Sequence, residues 1–197
     1  SVYRAEHTVI GKSVAIKVLH RRMMEHEAIL KRFLLEARAM SSLRHPNIVD
    51  VTDFGHTPDG RPYFVMEYLE GPTLDDVIYN EGALDTQRAL HLVTQMCRAV
   101  HVCHSAGIVH RDLKPENLVL LMEESAEPSD PSAASEPVEV VKILDFGLAS
   151  IRYETARLDA DNERRRIVSG SPCYLSPEQA EGRTGDARSD LYSIGVM

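Results

Sequence analysis

The sequence predicts an α+β protein of two small domains, the first built of strands with one helix and the second mainly helical. Up to about residue 67, short apolar stretches alternate as strands do, and one longer stretch has helical spacing. From "EGPTL", residues 70–74, the composition becomes helical. The 197 residues, 43% of them hydrophobic, can bury about two thirds of the unfolded surface. We therefore expect a domain at residues 1–66, a connection at 67–71 and a second domain at 72–197.

The first predicted strand is Ser13–Leu19, which follows a turn at Gly11. Alternate side chains of a strand point to opposite faces, so Val14, Ile16 and Val18 share one face. Lys17 points to the other face. The strand therefore presents a single ammonium group on the side away from those three apolar residues.

One helix and two more strands complete the first domain. Apolar residues three to four positions apart predict an amphipathic helix from about Met24 to Ser42, and this helix also carries Glu36. The segments Val49–Phe54 and Tyr63–Glu67 flank the turn "TPDGRP" and predict a pair of strands.

The second domain has one long helix and an interrupted hairpin. Thr86–Ser105 has helical periodicity and ends before Gly107. The apolar runs "LVLL" and "VEVVKIL" predict two paired strands. Between them, Met122–Glu139 has six acidic residues, three prolines and no Lys or Arg, so we expect a disordered acidic insertion, 122–139, at the hairpin tip.

Composition excludes several classes of protein. The net charge of −8 argues against a nucleic-acid binder. No apolar run approaches the roughly 20 residues of a membrane span, and we expect no membrane segment in this stretch. The chain has three cysteines, Cys97, Cys103 and Cys173, and this odd number indicates reduced thiols. Reduced thiols predict a cytoplasmic location for the protein.

The loop "GIVHRDLKPENLVL", residues 107–120, concentrates charged and hydrogen-bonding groups. It contains Asp112 and Asn117, and Asp145 follows the next predicted strand. Two carboxylates and an amide oxygen suit a hard cation such as Mg²⁺ that bridges substrate phosphates. Phosphoryl transfer fits this set, because it depends on charge neutralisation, alignment and a base near the acceptor hydroxyl.

Four motifs, "VAIK", "HRDLKPEN", "DFG" and "SPCYLSPEQ", occur in this order along nearly the whole chain. Together they resemble the catalytic domain of eukaryotic-type protein serine/threonine kinases, and "SPEQ" with "GIVHRDLKPEN" resembles its bacterial branch. The resemblance implies a two-lobed kinase-like fold. A small antiparallel β lobe with one helix would precede a larger, mainly helical lobe that is incomplete here.

The resemblance implies a catalytic role for five side chains. Asp112 is the base that accepts the proton of the acceptor hydroxyl, and Asn117 and Asp145 hold Mg²⁺. Lys17 holds the α- and β-phosphates of ATP and pairs with Glu36. The implied reaction transfers the γ-phosphate of ATP to a hydroxyl group of a protein substrate.

Two residues that match the kinase pattern favour serine and threonine as phosphate acceptors. Lys114 in "DLKPEN" is placed to contact the transferred phosphate, as in serine/threonine kinases. Ser171 in "GSP" stands where such kinases carry a threonine that contacts the catalytic aspartate and lysine.

The resemblance also implies where the adenine binds and how the site is supported. Adenine is expected between the domains, hydrogen-bonded to the backbone of the connecting segment at Glu67 and Leu69, with Met66 as gatekeeper. Its apolar walls would be Val2, Ala15 and Val119. A regulatory stack of side chains is assigned to His110, Phe146, Met40 and Val51. Asp190 is expected to anchor the catalytic loop from below.

The chain departs from the family pattern at both ends, which look truncated. The glycine-rich loop is missing before Val2. The family's partner for Glu178 is an arginine farther downstream, and a buried carboxylate without its partner costs about 3–5 kcal/mol. We therefore expect the isolated 197-residue fragment to be marginally stable and poorly active.

The activation segment, residues 145–178, lacks the usual phosphate acceptor. Arg111, before the catalytic aspartate, is associated in the family with a phosphate on this segment. The usual position falls on Ile167, which has no hydroxyl. Arg164–Arg166 either receive a phosphate or form a solvated run. Self-association for autophosphorylation would then use one of two other residues, Thr155 or Ser169.

Two other functions compete with a protein kinase: a pseudokinase that serves as a binding scaffold, and a small-molecule phosphotransferase. The intact set of catalytic residues argues against the first, and the "KPE" and "GSPCYLSPE" segments argue against the second. A metal site on the helix that carries Cys97, His101, Cys103 and His104 is disfavoured, since too few of these side chains share one face.

Overall fold

The computed structural model describes residues 1–124, 137–145 and 172–197, without the side chains at positions 28, 32, 36, 39 and 172. Its elements form a small lobe of strands with one helix, followed by a larger and mainly helical lobe. The expected two-lobed α+β fold is thus confirmed.

The small lobe is an antiparallel sheet with one helix packed against it. In the described part of the chain, its four strands lie in the order β1-β2-β4-β3. Helix α1 contacts β3. The bounds are β1 Val2–Glu6, β2 Ser13–Val18, α1 Glu27–Ser42, β3 Val51–His56 and β4 Pro62–Glu67.

Strand β2 places Lys17 in the middle of this sheet. Lys17 is paired with Val2 of β1 on one side and with Phe64 of β4 on the other. Phe64 also contacts Phe33 of α1, with ring centroids 5.3 Å apart. The pairing on both sides fixes the direction in which the Lys17 side chain leaves the sheet.

The larger lobe contains helices, short 3₁₀ turns and one two-stranded sheet. Strands β5 and β6 are antiparallel, and β6 packs on α3. The bounds are α2 Leu74–Glu81, α3 Thr86–Ser105, β5 Leu118–Glu124, β6 Pro137–Ile143, α4 Pro177–Ala180 and α5 Ala187–Val196.

Within the described residues, one large apolar core extends across both lobes. Its buried residues include Ala15 and Met66 from the small lobe, and Leu118 and Ile143 from the larger one. The segment between α1 and β3 adds backbone contacts, because the Val49 N–H donates to the Ile143 carbonyl at 3.1 Å. The lobes are therefore packed together and not merely tethered by residues 67–71.

The structure corrects the extent of the acidic insertion. Strand pairing continues to Glu124↔Pro137, so residues 122–124 and 137–139 belong to β5 and β6 and not to a disordered segment. The Glu139 carboxylate also accepts two hydrogen bonds from Arg88 of α3, which holds this end of β6 on the lobe. Residues 125–136 lie outside the described part of the chain.

Three further boundaries differ from the expected ones. Strand β1 was not predicted, since its five residues are largely exposed and carry little apolar alternation. The predicted start of α1 at Met24 is too early, because Arg21–Met23 form a 3₁₀ turn and the helix begins at Glu27. Strand β3 begins at Val51, two residues after the predicted start.

Candidate active site

The loop between α3 and β5 brings the polar side chains of residues 110–117 to one place. Gly107 adopts a φ of 75°, the left-handed conformation that suits glycine after a helix. The loop then ends in a 3₁₀ turn, Pro115–Asn117, which leads directly into β5. This short path fixes Asp112 and Asn117 close to each other.

Asp190 of α5 holds the loop from below, as expected from the sequence. Its carboxylate accepts from the Arg111 N–H at 2.7 Å, the His110 N–H at 2.9 Å and the His104 Nε2 at 2.8 Å. Asp190 is only 1% exposed. A buried carboxylate needs several donors, so these bonds account for its charge in the core.

His110 connects the loop to the segment that precedes Asp145. Its Nδ1 accepts from the Asp112 N–H at 3.2 Å, so its Nε2 carries the proton and donates to the Leu144 carbonyl at 2.7 Å. The Leu144 N–H in turn donates to the Asn117 carbonyl at 2.8 Å. The two candidate catalytic segments are thereby fixed relative to each other.

Two residues of the site have left-handed backbone conformations that are unusual for non-glycine residues. Arg111 has a φ of 64° and Asp145 a φ of 56°. Such conformations cost about 1–3 kcal/mol each and persist only where the surroundings hold them. The hydrogen bonds made by Asp190 and His110 help to stabilise these conformations.

Four of the predicted site residues line one cavity of about 240 Å³: Lys17, Asp112, Asn117 and Asp145. The Lys17 Nζ lies 2.5 Å from the Asp145 Oδ1, and the Lys17 side chain is only 11% exposed. The Asn117 Nδ2 donates to the Asp112 carbonyl at 2.7 Å. Residues from both lobes and from three separate sequence motifs therefore meet around a common space.

The predicted partner of Lys17, Glu36, has a side chain outside the described part of the structure. The backbone of Glu36 lies on α1. The described partner of Lys17 is Asp145. Lys114, also predicted for the site, has its Nζ 3.8 Å from the Glu116 Oε1.

The residues around this cavity fit a magnesium ion. Asn117 and Asp145 offer amide and carboxylate oxygens, which are the donors that Mg²⁺ prefers. Because the Asn117 Nδ2 is bonded to the Asp112 carbonyl, Oδ1 is the atom that Asn117 would present to the cation. The chemistry of this donor set agrees with the metal expected from the sequence.

Comparison with known proteins identifies the family. The model of the protein kinase domain matches residues 1–197. This chain belongs to the protein kinase family. The match covers all residues of the site described above.

The chain is similar to several bacterial proteins. It is 41% identical over 196 residues to serine/threonine-protein kinase pkn3 of Myxococcus xanthus, covering 100% of this chain and 34% of that protein. It is 36% identical over 199 residues to serine/threonine-protein kinase PknB of Mycolicibacterium smegmatis, covering 100% and 29%. The chain thus spans about a third or less of the length of these relatives.

The residues expected around adenine in this kinase differ in exposure. Ala15, Met66 and Val119 are buried at the junction of the lobes, whereas Val2 on the edge strand β1 is 53% exposed. Leu69 packs against the shared core. Glu67 is held by its carboxylate, which accepts from the Lys142 Nζ and the Asp50 N–H at 2.8 Å each.

The members of the expected regulatory stack are only partly described. Met40 and Val51 lie in the shared core, and His110 is fully buried beside the catalytic loop. Phe146 lies outside the described residues. The same holds for the activation-segment residues named above, which are Ser171, Thr155, Ser169, Ile167 and Arg164–Arg166.

Cys103 and His104 of α3 serve in packing and hydrogen bonding. Burial, with the nearby Asp190 charge as a second cause, raises the pKa of the Cys103 thiol to about 12. His104 bonds to Asp190. Within the described ranges, no group of three His, Cys, Asp or Glu side chains is arranged to hold a metal, and every helix is too short or too polar to cross a bilayer.

The possibility that Glu178 is a buried, unpartnered carboxylate is wrong. Glu178 is half-buried and accepts a short hydrogen bond from the Ser189 hydroxyl. This bond, followed by bonds from backbone and Ser176, holds the pKa of Glu178 below its usual value. Ser189, the third residue of α5, stabilises the Glu178 carboxylate by this hydrogen bond.

The role of Gln179 is not predictable from the sequence. Its Nε2 donates to the Arg111 carbonyl at 2.8 Å, so α4 contacts the catalytic loop directly. The spacing of Ser176 and Gln179 in "SPEQ" is that of a helix-capping pair. That spacing predicts a local bond between the two residues, but it contains no information on a contact 68 positions away.

Proposed function

We propose that this chain is the catalytic part of an ATP-dependent protein serine/threonine kinase. The observation that carries the proposal is the shared cavity lined by Lys17, Asp112, Asn117 and Asp145. A cation, two carboxylates and an amide around one space are the groups that phosphoryl transfer requires. The bacterial relatives, which bear the name serine/threonine-protein kinase, support the same activity.

Each of these residues has a distinct part in the proposed reaction. Asp112 accepts the proton of the attacking hydroxyl, and Lys17 binds the α- and β-phosphates of ATP. Asn117 and Asp145 would hold Mg²⁺, which would neutralise negative charge on the phosphates. Glu36 orients Lys17 when the nucleotide is bound, and Lys114 contacts the transferred phosphate.

Adenine is proposed to bind at the junction of the lobes. Ala15, Val119 and Val2 would contact its faces, and Met66 would limit the depth of the pocket. The backbone of Glu67 and Leu69 would supply hydrogen bonds. The fixed position of the Glu67 carboxylate supports this role, because Lys142 and Asp50 restrain the residue from both sides.

The proposed partners are proteins with serine or threonine acceptors. Lys114 and Ser171 support this acceptor class. Self-association for autophosphorylation at Thr155 or Ser169 is part of the proposal, as is a cytoplasmic location inferred from the reduced cysteines.

The assay that tests this function follows transfer of labelled phosphate from ATP to a generic protein acceptor. We expect Asp112→Asn and Lys17→Met each to lower the rate by about 10² to 10³, because each removes one preorganised group from the transition state. The matched controls are Asp75→Asn and Lys12→Met, which make the same changes at exposed positions and should keep the parent rate.

Other outcomes would favour the competing functions. Nucleotide binding without any transfer would indicate a pseudokinase. Transfer to a small molecule but to no protein would indicate a small-molecule phosphotransferase. Labelled protein at an undiminished level in Asp112→Asn would contradict the proposed base.

A further inference from the structure

The side-chain amide of Gln179 bridges α4 and the catalytic loop. Its Oε1 accepts from the Ser176 N–H at 3.2 Å and from the Ser176 hydroxyl at 3.0 Å. Its Nε2 donates to the Arg111 carbonyl at 2.8 Å. Because a backbone N–H can only donate, the amide oxygen must face Ser176, and the NH₂ group must face Arg111. The bridge therefore has one defined orientation.

The accepting carbonyl belongs to the peptide bond that joins Arg111 to Asp112. Arg111 has the left-handed φ of 64°, so this peptide needs external contacts to keep its orientation. The Arg111 N–H is held by the Asp190 Oδ1 at 2.7 Å. The Arg111 Nε donates to the Gly185 carbonyl at 2.8 Å. On the other side of the same peptide, the Asp112 N–H donates to the His110 Nδ1 at 3.2 Å, and the Gln179 amide fixes its carbonyl.

The contact between Gln179 and Arg111 is partly shielded from water. Ser176 is fully buried, and Gln179 is half-buried between α4 and the loop. Gly185 leaves the space that the bridge occupies, since a Cβ at Gly185 would lie 3.1 Å from the Gln179 Cγ and 2.6 Å from the Ser189 Oγ. A donor lost at position 179 would leave the Arg111 carbonyl without this bond in a tightly packed region.

We propose that Gln179 is a positioning residue for Asp112. By holding the Arg111 carbonyl, Gln179 orients the peptide bond that precedes the base. The inference rests on the proposed function of Asp112. It also means that the folding of residues 176–180 onto the loop is needed to align the base. Gln179 itself touches neither substrate nor nucleotide in this scheme.

The decisive variant is Gln179→Glu in the natural full-length protein. The carboxylate keeps an oxygen for both Ser176 donors and has nearly the same shape, but at neutral pH it cannot donate to the Arg111 carbonyl. We expect kcat to fall about tenfold, since small displacements of a catalytic group have large effects on rate. KM for ATP should change less than twofold, because Lys17, Asn117 and Asp145 have no bond to Gln179 among the described contacts.

Two further variants separate positioning from helix capping. Gln179→Ala removes both the Ser176 acceptor and the Arg111 donor, so a purely structural role predicts a larger loss of kcat in Gln179→Ala than in Gln179→Glu. Positioning predicts comparable losses of kcat, with thermal stability reduced mainly in Gln179→Ala. The control is Gln87→Glu, the same chemical change at an exposed position of α3, which should match the parent.

The outcomes distinguish this inference from the proposed function. If Asp112→Asn abolishes transfer while Gln179→Glu and Gln179→Ala keep kcat within twofold of the parent, the inference is wrong and the kinase function stands. If kcat falls only in proportion to the folded fraction measured by thermal unfolding, Gln179 is structural and the inference is also wrong. If Asp112→Asn has the parent rate, both are overturned.

Discussion

Gly71, at the end of the connection between the lobes, lies against the backbone of β5. A Cβ at this position would be 2.1 Å from the Leu120 carbonyl oxygen and 3.0 Å from the Leu121 Cδ2. The neighbouring Pro72 carbonyl accepts from the Leu120 N–H at 2.9 Å, so the two segments cannot separate without losing a hydrogen bond. The identity of this one residue therefore decides how closely the connection approaches the larger lobe.

We expect Gly71→Ala to lower the free energy of unfolding by about 1–3 kcal/mol, the usual cost of overpacking. The control is Gly195→Ala in α5, where a Cβ meets nothing within 4 Å and alanine favours the helix. Chemical denaturation would measure both variants. Equal stabilities of Gly71→Ala and the parent would show that β5 moves away at no cost.

At the level of single residues, the chemical role of a side chain is easier to predict from the sequence than its contacts are. The roles expected for Asp112, Asn117 and Asp145 follow from motifs that resemble those of protein kinases, and these roles stay predictions. The Lys17–Asp145 pair was not predicted, since it joins motifs from different lobes and depends on the three-dimensional arrangement. The Gln179 bridge was missed for the same reason.

Among the elements, α2 has a reciprocal cap at its first turn. The Asp76 N–H donates to the Thr73 hydroxyl at 3.1 Å, and the Thr73 N–H and hydroxyl both donate to the Asp76 carboxylate. We expect Thr73→Val to lower the free energy of unfolding by about 1 kcal/mol, as for other lost threonine caps. Thr86→Val is the control, because Thr86 is exposed at the first position of α3, where Asp85 supplies the cap.

The effect of Thr73→Val should depend on pH. The hydroxyl of Thr73, and then its backbone N–H, lower the pKa of Asp76 from its ordinary value of 3.8. A lowered pKa means that the carboxylate stabilises the folded state above pH 3.8 and that this contribution is lost as the pH falls further. The difference in the free energy of unfolding between Thr73→Val and the parent should therefore be largest at neutral pH and should shrink below pH 3.8. If this difference in unfolding free energy stayed constant across the pH range, the charge of the Asp76 carboxylate would not contribute to the cap.

Elements with strong local signals were predicted well, and those that depend on pairing were not. Helix α3 matches its predicted bounds, Thr86–Ser105, because its apolar spacing and its Asp85 cap are local. Strand β1 forms by pairing with β2, and its own residues carry little strand signal. The ends of the acidic segment were assigned by composition, which cannot show that Glu139 pairs with Met122 across the hairpin.

For the whole molecule, the shared core implies that both lobes unfold together. Ala15 and Met66 of the small lobe belong to the same buried cluster as Leu118 and Ile143. If the proposed nucleotide site lies between the lobes, Mg-ATP stabilises both at once. At about 100 times its Kd, the ligand should raise the free energy of unfolding by about 2.7 kcal/mol.

Thermal unfolding with and without Mg-ATP would test this expectation. We expect a single transition whose midpoint rises with ligand, a smaller rise for Asp145→Asn, and an unchanged rise for the exposed control Asp75→Asn. Two transitions, of which only one responds to nucleotide, would show that the lobes are energetically independent.

The β5–β6 hairpin has a practical consequence for labelling this protein. Its strands are buried near Leu118 and Ile143 and exposed near Glu124 and Pro137. The seven residues of β6 span roughly 20 Å, so a peptide tag or fluorophore grafted between positions 124 and 137 would enter and leave the fold far from Asp145. We therefore expect such a graft to leave the rate of the proposed reaction at its parent value.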